Sequence, residues 1–328
     1  MRPKVLLYKP LPDDERQRLA MHFDIMEFDG FHRDNEIEFL AALREAEGII
    51  GGSGIKLPTE RLEQASKLKV ASTISVGTDQ YDLDYLARRN IPVMHTPGVL
   101  NETTADTMFA LLMCTARRAL ELSNMVKEGR WKHTIGPDLY GTDVHGKTLG
   151  IVGMGRIGQA IAKRAHLGFD MKIQYFNRTP NPQAEKDYDA QYLSLENLLS
   201  SSDFICVMTP LSASTQGLIG EREFALMKPD CIFINGSRGK VIDESALIKA
   251  LQTKQIRAAG LDVFQQEPLP ANSPLCQLDN AVLFPHIGSA TVETRRKMIT
   301  CAVDNLIRAM SGDISQNCAN GHLLKNSR

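Results

Sequence analysis

Three side chains in the last third of the chain could together bind an acid and move a proton. Arg238, Glu267 and His286 each come after a short apolar run typical of a buried strand, and Asp262 directly follows one of these runs. Ligands bind outside the carboxyl ends of the strands in an open α/β sheet, so we expect these groups to share one edge. Taken singly, each could be an ordinary surface or turn residue. Their common position favours a single site.

The group types indicate the reduction of a 2-oxo acid. That reaction places a hydride on the carbonyl carbon and a proton on its oxygen, and it needs a cation to anchor the carboxylate. The planar donors of Arg238 suit the carboxylate and the ketone oxygen. His286 can give the proton in reduction and accept it in oxidation. A carboxylate bonded to an imidazole favours the charged ring, so Glu267 is expected to keep this acid protonated near neutral pH.

A glycine turn upstream offers a place for the hydride donor. It lies between the apolar run Thr148–Val152 and a helical pattern over Gln159–Ala165, and it reads Gly153-Met154-Gly155-Arg156-Ile157-Gly158. The first glycine allows the turn, the second lets phosphates approach the backbone, and the third lets helix and strand pack closely. The helix N-terminus favours an anion. An ordinary strand–helix turn is the alternative, but the strand pattern at Lys172–Phe176 favours a dinucleotide site.

The residues after that second strand favour NADPH. An NAD site usually carries an acidic residue there, which accepts from the ribose 2′-hydroxyl. This chain has Asn177, Arg178 and Thr179 instead. Arg178 could bind a 2′-phosphate with charge-assisted bonds, and an Asp in place of Asn177 would repel that phosphate. We predict NADPH as the preferred cofactor, with NADH also possible. Alternatively, Arg178 points to solvent and NADH binds adequately.

The composition excludes several classes of protein. The chain has 328 residues, 43% of them hydrophobic, and a formal net charge of −1. This length allows two domains, and there is no basic excess to attract nucleic acid or anionic lipid. No apolar run has the length of a membrane span, and the N-terminus resembles a first strand more than a signal peptide. The six cysteines lack metal-ligand spacing, so we expect reduced thiols, no metal site and a cytoplasmic protein.

Strand and helix patterns alternate along the chain, which predicts the α/β class with parallel sheets. The first series of strand patterns is Val5–Tyr8, Ile25–Phe28, Gly48–Gly51, Val70–Ile74 and Val93–His95. The second series has six: Leu149–Val152, Ile173–Phe176, Phe204–Met208, Cys231–Ile234, Ala258–Leu261 and Ala281–Phe284. We predict two Rossmann-like or flavodoxin-like domains. A dinucleotide-binding domain (100–288) would be inserted into a discontinuous substrate domain (1–99 and 289–328), to which the helical stretch Glu293–Met310 would return.

A long helical pattern joins the two series. It runs from about Thr103 to Glu128 with one apolar face, and Gly129 is placed to end it. The irregular segment Trp131–His145 follows. Such a segment either contacts another subunit or covers its own domain, and the pattern alone leaves both open.

Over essentially its whole length the chain resembles the D-isomer-specific 2-hydroxyacid dehydrogenases. Besides the glycine turn, the resemblance rests on Asn235-Gly236-Ser237-Arg238-Gly239, Gly260-Leu261-Asp262-Val263-Phe264, Glu267-Pro268 and Pro285-His286-Ile287-Gly288-Ser289. Within the family it is most similar to the bacterial glyoxylate/hydroxypyruvate reductase B group, also described as 2-ketogluconate reductases. That closer match rests on Tyr8-Lys9-Pro10-Leu11-Pro12, Gly136–Asp143 and Ala165–Phe169.

The resemblance implies an NAD(P)-dependent reductase with catalytic Arg238, Glu267 and His286, and products of D configuration. It also implies that Val76 and Gly77 bind the substrate carboxylate through backbone N–H groups. Asp262 would hold the nicotinamide carboxamide. The full set of expected cofactor contacts is Thr104, Gly153, Gly155, Arg156, Ile157, Gly158, Asn177, Arg178, Thr179, Thr209, Pro210, Asp262 and Gly288. Family members are commonly homodimers, joined by the long helix and the segment after it.

The expected substrates range from glyoxylate and hydroxypyruvate to 2-ketogluconate. Alternatives are 2-ketogluconate 6-phosphate reduction, or oxidation of a phosphoglycerate or phosphonate. A dinucleotide-sensing corepressor is disfavoured, because the catalytic trio is complete. Substrate size should depend on residues that face the cleft, for which the candidates are Ser53, Gly54, Ile55, Leu100, and Trp131 or Tyr140 from another subunit.

Overall fold

The computed structural model describes residues 2–325 and divides the chain into two compact units. One unit comprises Met1–Leu100 with Thr291–Arg328, and the other comprises Asn101–Ala290. Each unit is built on a parallel sheet with helices, which confirms the predicted α/β class. Within the described range no helix is both long and apolar enough to cross a membrane.

The first sheet has the strand order β2-β1-β3-β4-β5 in the described part of the chain, the flavodoxin-like order. Its strands are β1 (Lys4–Leu7), β2 (Asp24–Glu27), β3 (Gly48–Gly51), β4 (Val70–Thr73) and β5 (Val93–Met94). The central strands β3 and β4 are buried along their whole length, because a parallel sheet is covered on both faces. The carboxyl ends of the five strands therefore form one edge.

The second sheet has the order β12-β11-β10-β9-β6-β7-β8 within residues 2–325. Its strands are β6 (Thr148–Val152), β7 (Lys172–Phe176), β8 (Gln191–Tyr192), β9 (Phe204–Val207), β10 (Ile232–Asn235), β11 (Ala258–Leu261) and β12 (Ala281–Leu283). The order on either side of β6 is that of a doubly wound dinucleotide-binding sheet. The expectation of six strands was wrong by one: β8 is an exposed edge strand of two residues, too short to give a periodic signal.

The helices in the described range alternate with the strands. They are α1 (Asp13–His22), α2 (Glu36–Glu45), α3 (Thr59–Leu62), α4 (Leu83–Arg88), α5 (Asn101–Ala116), α6 (Ala119–Lys127), α7 (Arg156–Phe169), α8 (Pro182–Tyr188), α9 (Leu195–Ser201), α10 (Glu221–Leu226), α11 (Glu244–Gln252) and α12 (Val292–Met310). Short 3₁₀ helices lie at Arg33–Asn35, Pro137–Leu139, Gly239–Val241, Pro274–Gln277 and Gly321–Leu323.

The expectation of a single long helix over about 103–128 was wrong, because the structure divides this stretch into α5 and α6. Arg118 between them has a left-handed φ of 53°. The segment after α6 folds back here, and the Thr142 N–H donates to the Ala116 carbonyl at 2.8 Å. The Arg118 guanidinium bonds the Glu121 carboxylate and the Asp138 carbonyl. These contacts replace the helical hydrogen bonds that end there. Gly129, with φ 66°, follows the end of α6.

The last helix belongs to the first unit. It packs on β3, β4 and α1, and its face with Met298, Ala302 and Leu306 is buried. The Ser72 hydroxyl donates to the Ala302 carbonyl at 2.8 Å. The end of the chain thus completes the layer over the first sheet.

Candidate active site

The strand ends of the second unit bring the predicted polar groups to one edge. β10, β11 and β12 are neighbours in the sheet, paired in parallel. Arg238 follows β10, Asp262 directly follows β11 with Glu267 in the same loop, and His286 follows β12. These residues therefore lie at the same edge of the sheet, as expected from their positions after the strands.

Glu267 and His286 form a direct pair. Glu267 Oε2 lies 2.6 Å from His286 Nδ1, and Glu267 Oε1 accepts the Phe264 N–H at 2.9 Å. Burial raises the pKa of Glu267. The bonds from His286 and Phe264, with the charges of His286 and Arg238, lower it by more than burial raises it, so the net shift is downward. The His286 side chain is 46% exposed. Because Nδ1 is held, Nε2 is the ring nitrogen available for proton exchange.

Asp262 fixes the loop that carries His286. Its Oδ1 accepts the Ile287 N–H at 2.7 Å and its Oδ2 accepts the Gly288 N–H at 2.8 Å. Burial raises the pKa of Asp262, and the two N–H donors oppose that rise. His286 itself has a positive φ of 55°, which these bonds on the next two residues help to hold. The sequence missed this positioning contact, because acceptors for backbone N–H groups leave no signal in residue types.

The Arg238 loop is packed directly on the loop of Glu267. The fully buried Asn235 donates from Nδ2 to the Arg238 carbonyl at 3.2 Å, and its Oδ1 accepts the Ser237 N–H at 3.1 Å. A Cβ on Gly239 would lie 1.9 Å from the carbonyl carbon of Phe264. Only glycine permits this approach, which brings Arg238 near enough for its charge to lower the pKa of Glu267.

The three glycines after β6 occupy three different environments. Gly153 has a φ of 107°, and a Cβ there would lie 2.7 Å from the Met208 carbonyl carbon. A Cβ on Gly155 would meet nothing within 4 Å, whereas on Gly158 it would lie 2.3 Å from the Gly153 carbonyl oxygen. The turn and the close packing thus need glycine for steric reasons. Gly155 leaves open backbone at the N-terminus of α7, where Arg156 and Ile157 begin the helix, and this fits a pyrophosphate.

Two asparagines after β7 hold this turn. Asn177 Oδ1 accepts the Met154 N–H at 2.9 Å, and Asn181 Nδ2 donates to the Met154 carbonyl at 3.0 Å. The sequence missed Asn181, although Asn before Pro182 is a typical helix N-cap, and its Oδ1 accepts the Ala184 N–H. Arg178 and Thr179 are exposed beside them.

The remaining expected cofactor contacts lie near the same edge. Thr104 is buried in α5, and a Cβ on Gly288 would lie 3.3 Å from its methyl carbon. The Thr107 hydroxyl is 3.3 Å from the Gly288 carbonyl. Thr209 and Pro210 follow β9, adjacent to the close contact between Met208 and Gly153.

In the first unit, Val76 and Gly77 follow β4 with their carbonyls held. His95 Nδ1 lies 2.9 Å from the Val76 carbonyl, and the Ser75 hydroxyl donates to the Gly77 carbonyl at 2.6 Å. Among residues 2–325 neither the Val76 nor the Gly77 N–H donates to another group. This loop therefore presents two backbone donors, a suitable arrangement for a carboxylate.

Comparison with known proteins places the chain in a family. The family model described as "D-isomer specific 2-hydroxyacid dehydrogenase, NAD binding domain" matches residues 109–288. Glyoxylate/hydroxypyruvate reductase B of Yersinia pestis (strain Pestoides F) is 53% identical over 324 residues, which cover 99% of each chain. The chain belongs to the D-isomer-specific 2-hydroxyacid dehydrogenase family. This confirms the resemblance predicted from the motifs, and the protein is an oxidoreductase.

Solved structures agree with this family assignment. A protein from Thermus thermophilus is 40% identical, with a TM-score of 0.87, and the match covers 96% of this chain and 99% of that one. An NADPH-dependent glyoxylate/hydroxypyruvate reductase from Sinorhizobium meliloti, solved with NADP and malonate, is 31% identical, with a TM-score of 0.85 and 98% of each chain covered. The dehydrogenase therefore uses a nicotinamide dinucleotide and a small-molecule substrate.

Proposed function

We propose that this dehydrogenase reduces small 2-oxo acids, such as glyoxylate, hydroxypyruvate and 2-ketogluconate, to D-2-hydroxy acids with NADPH. The main support is the contact of 2.6 Å between Glu267 Oε2 and His286 Nδ1, at the sheet edge that also carries Arg238. It supports an imidazole whose Nδ1 is held by a carboxylate, close to a cation that anchors the substrate carboxylate. The similar Yersinia pestis protein is named as a reductase of glyoxylate and hydroxypyruvate.

Each residue has a definite part in this proposal. His286 Nε2 donates the proton to the carbonyl oxygen, and Glu267 balances the positive ring before that transfer. The Arg238 guanidinium binds the substrate carboxylate and polarises the ketone. The N–H groups of Val76 and Gly77 bind the same carboxylate. When bound, the nicotinamide supplies the hydride, and Asp262 contacts its carboxamide besides holding the His286 loop.

The two units divide these tasks. We assign the cofactor to the dinucleotide-binding domain (100–288) and substrate recognition to the discontinuous domain (1–99 and 289–328). The open Gly155 backbone at the start of α7 is the feature that fits the pyrophosphate. The two available N–H groups after β4 are the feature that fits the acid.

The residues at the end of β7 support the proposed preference for NADPH. Asn177 is a neutral amide, so it brings no negative charge to the ribose, and its Oδ1 accepts the Met154 N–H. Arg178 is exposed and forms no ion pair with any residue in 2–325, so its donors remain available for a 2′-phosphate. Changing Asn177→Asp together with Arg178→Ala is expected to lower the NADPH/NADH ratio of kcat/KM by roughly 10-fold or more. A wild-type ratio that favours NADH would contradict the preference.

A steady-state screen tests the reaction itself. Purified enzyme is assayed with glyoxylate, hydroxypyruvate, 2-ketogluconate and its 6-phosphate, each with NADPH and NADH, and the product configuration is determined. We expect turnover of several of these acids and D products. No turnover of any 2-oxo acid, or activity confined to a phosphoglycerate or phosphonate, would overturn the proposal.

We also propose a homodimer joined through α6 and the segment after it. Helix α6 has no buried residue, and it exposes Leu120 (41%) and Val126 (52%). In the following segment Trp131 and Tyr140 are 58% and 53% exposed. Such a run of apolar surface is typical of a subunit interface. Leu120→Glu with Val126→Glu should give a monomer by sedimentation, whereas Ile37→Glu, an exposed apolar position in the first unit, should not. A monomeric wild type would contradict the proposal.

A further inference from the structure

The first sheet has its own point where ligands are expected. In the order β2-β1-β3-β4-β5 the chain leaves β1 in one direction for β2 and returns on its other side for β3. Ligands bind outside the carboxyl ends of the strands at such a switch point. Lys9 comes two residues after β1, and Gly52 comes directly after β3. Arg238, Glu267 and His286 all follow strands of the second sheet, so they do not occupy this switch point.

Lys9 lies across the end of β3. A Cβ on Gly52 would be 3.1 Å from Lys9 Cδ and 3.5 Å from Lys9 Nζ, and a Cβ on Gly51 would be 2.1 Å from the Tyr8 ring. The two glycines thus let the chain after β1 pack closely on the chain after β3. The Lys9 side chain is partly buried by this packing, so its ammonium is held at the switch point.

The first turn of α12 lies toward the same carboxyl edge of the sheet, because the other end of α12 meets the amino end of β3, where a Cβ on Gly48 would be 3.3 Å from Leu306 Cδ1. Arg295, in the first turn of α12, is also partly buried. Burial lowers the pKa of Lys9, and the charge of Arg295 lowers it further. Within residues 2–325 neither side chain has a carboxylate partner or a side-chain hydrogen bond. Other basic residues of the same segments do have carboxylate partners: Lys4 pairs with Glu45 at 3.3 Å, and Arg296 pairs with Asp14.

Two partly buried like charges without an anion destabilise the folded protein. Binding an anionic ligand removes that repulsion, and it adds charge-assisted hydrogen bonds. Unpaired cations at a switch point are therefore a feature of an anion-binding site. A lone surface lysine would not have this combination of burial, a second cation and a strand-end position.

We propose that Lys9 and Arg295 form a subsite for an anionic group at the far end of a 2-oxo acid substrate. This inference rests on the proposed function, in which Val76 and Gly77 bind the 2-oxo acid's own carboxylate after β4. Since β3 lies between β1 and β4, their ends are two strand spacings apart, roughly 10 Å. Glyoxylate is far too short to reach both positions. A six-carbon 2-oxo aldonate with a terminal phosphate has a comparable length.

Substrate pairs that differ only in the distal group test this subsite. The first pair is 2-ketogluconate 6-phosphate against 2-ketogluconate, and the second is 2-oxoadipate against 2-oxohexanoate, which distinguishes a terminal phosphate from a terminal carboxylate. The enzymes compared are wild type, Lys9→Met, Arg295→Met and Lys4→Met. Lys4 is the matched control, because it lies at the amino end of β1, the strand that Lys9 follows, and is exposed.

The measured quantity is the ratio of kcat/KM within each pair. We expect the wild type to favour the anionic member of one pair by roughly 10- to 100-fold, and Lys9→Met or Arg295→Met to remove most of that preference. Lys4→Met should retain it. Thermal unfolding confirms that each variant is folded, and glyoxylate turnover confirms that the proposed function holds. If glyoxylate is reduced but both ratios are near one, or the variants keep the wild-type ratio, the subsite is refuted alone. If no 2-oxo acid is reduced, both proposals fail.

Discussion

At the carboxyl edge of the second sheet, Asp262 and Glu267 accept a hydrogen bond with each of their carboxylate oxygens. At the carboxyl edge of the first sheet, Lys9 and Arg295 have no carboxylate partner within residues 2–325. One edge is therefore satisfied by the protein itself. The other carries charge that only a ligand would neutralise.

The difference follows from what the two edges are proposed to do. Proton transfer requires groups that are held before the substrate arrives, because small displacements weaken catalysis. Recognition of a charged substrate instead gains affinity when binding removes a repulsion already present in the free protein. The following predictions test whether the two edges differ in this way.

The largest effect is expected for His286→Ala. Removing the proton donor should lower kcat by roughly 100- to 10,000-fold, while NADPH binding, measured by fluorescence titration, stays within about twofold. His145→Ala is the control, because His145 is an exposed histidine of the same unit. An unchanged kcat for His286→Ala would remove the proton-donor role from the second edge.

A smaller loss is expected for Arg238→Lys. Lysine keeps the charge but lacks the planar pair of donors, so kcat/KM for glyoxylate should fall roughly 100-fold. The Asn235 contact is to the Arg238 backbone, so the loop should keep its conformation. Arg257→Lys, a partly exposed arginine paired with Asp230, serves as the control. Equal kcat/KM for Arg238→Lys and wild type would show that charge alone suffices.

Stability measurements contrast the two edges directly. Asp262→Ala leaves the Ile287 and Gly288 N–H groups without their acceptor, so the free energy of unfolding should fall by about 2 kcal/mol. Lys9→Met removes a charge with no partner and keeps the apolar stem, so we expect no loss or a small gain. Urea unfolding at neutral pH measures both. A clear destabilisation by Lys9→Met would mean that the protein itself stabilises the charge of Lys9.

The smallest effect concerns the pH dependence of Glu267. Its pKa is lowered in the folded protein, so its stabilisation is present above the ordinary glutamate pKa and is lost as the pH falls through the lowered value. The unfolding free energies of wild type and Glu267→Gln should therefore differ near neutral pH, by up to about 1 kcal/mol for this partly exposed pair, and converge in acid. A difference that stays constant with pH would contradict the pair.

Local signals sufficed for much of the fold. Strands such as β3 and β11 are short apolar runs with helical patterns between them, and the sequence assigned both with their observed bounds. The glycine turn after β6 was recognisable because Gly153 and Gly158 are required for steric reasons and Gly155 leaves the backbone between them open. These features are set within a few residues of chain.

Other features depend on contacts that no local pattern contains. The division between α5 and α6 is decided by the segment that returns to Ala116, since the helical periodicity itself continues across it. The edge strand β8 exists because Gln191 and Tyr192 pair with β7. Asp262 was assigned to a cofactor contact, and only the folded chain shows its two bonds to the His286 loop.

The sequence by itself determined the α/β class, the family and the residues on the edge of the second sheet, because strand-end position follows from chain order. The tertiary structure alone decided which of those residues hold one another and where charge is left unpaired. Lys9 and Arg295 lie in distant parts of the chain, and the order of the strands and the return of α12 place the charge of Arg295 where it lowers the pKa of Lys9. Residue types set the available charges, and whether a charge is paired depends on packing between distant segments.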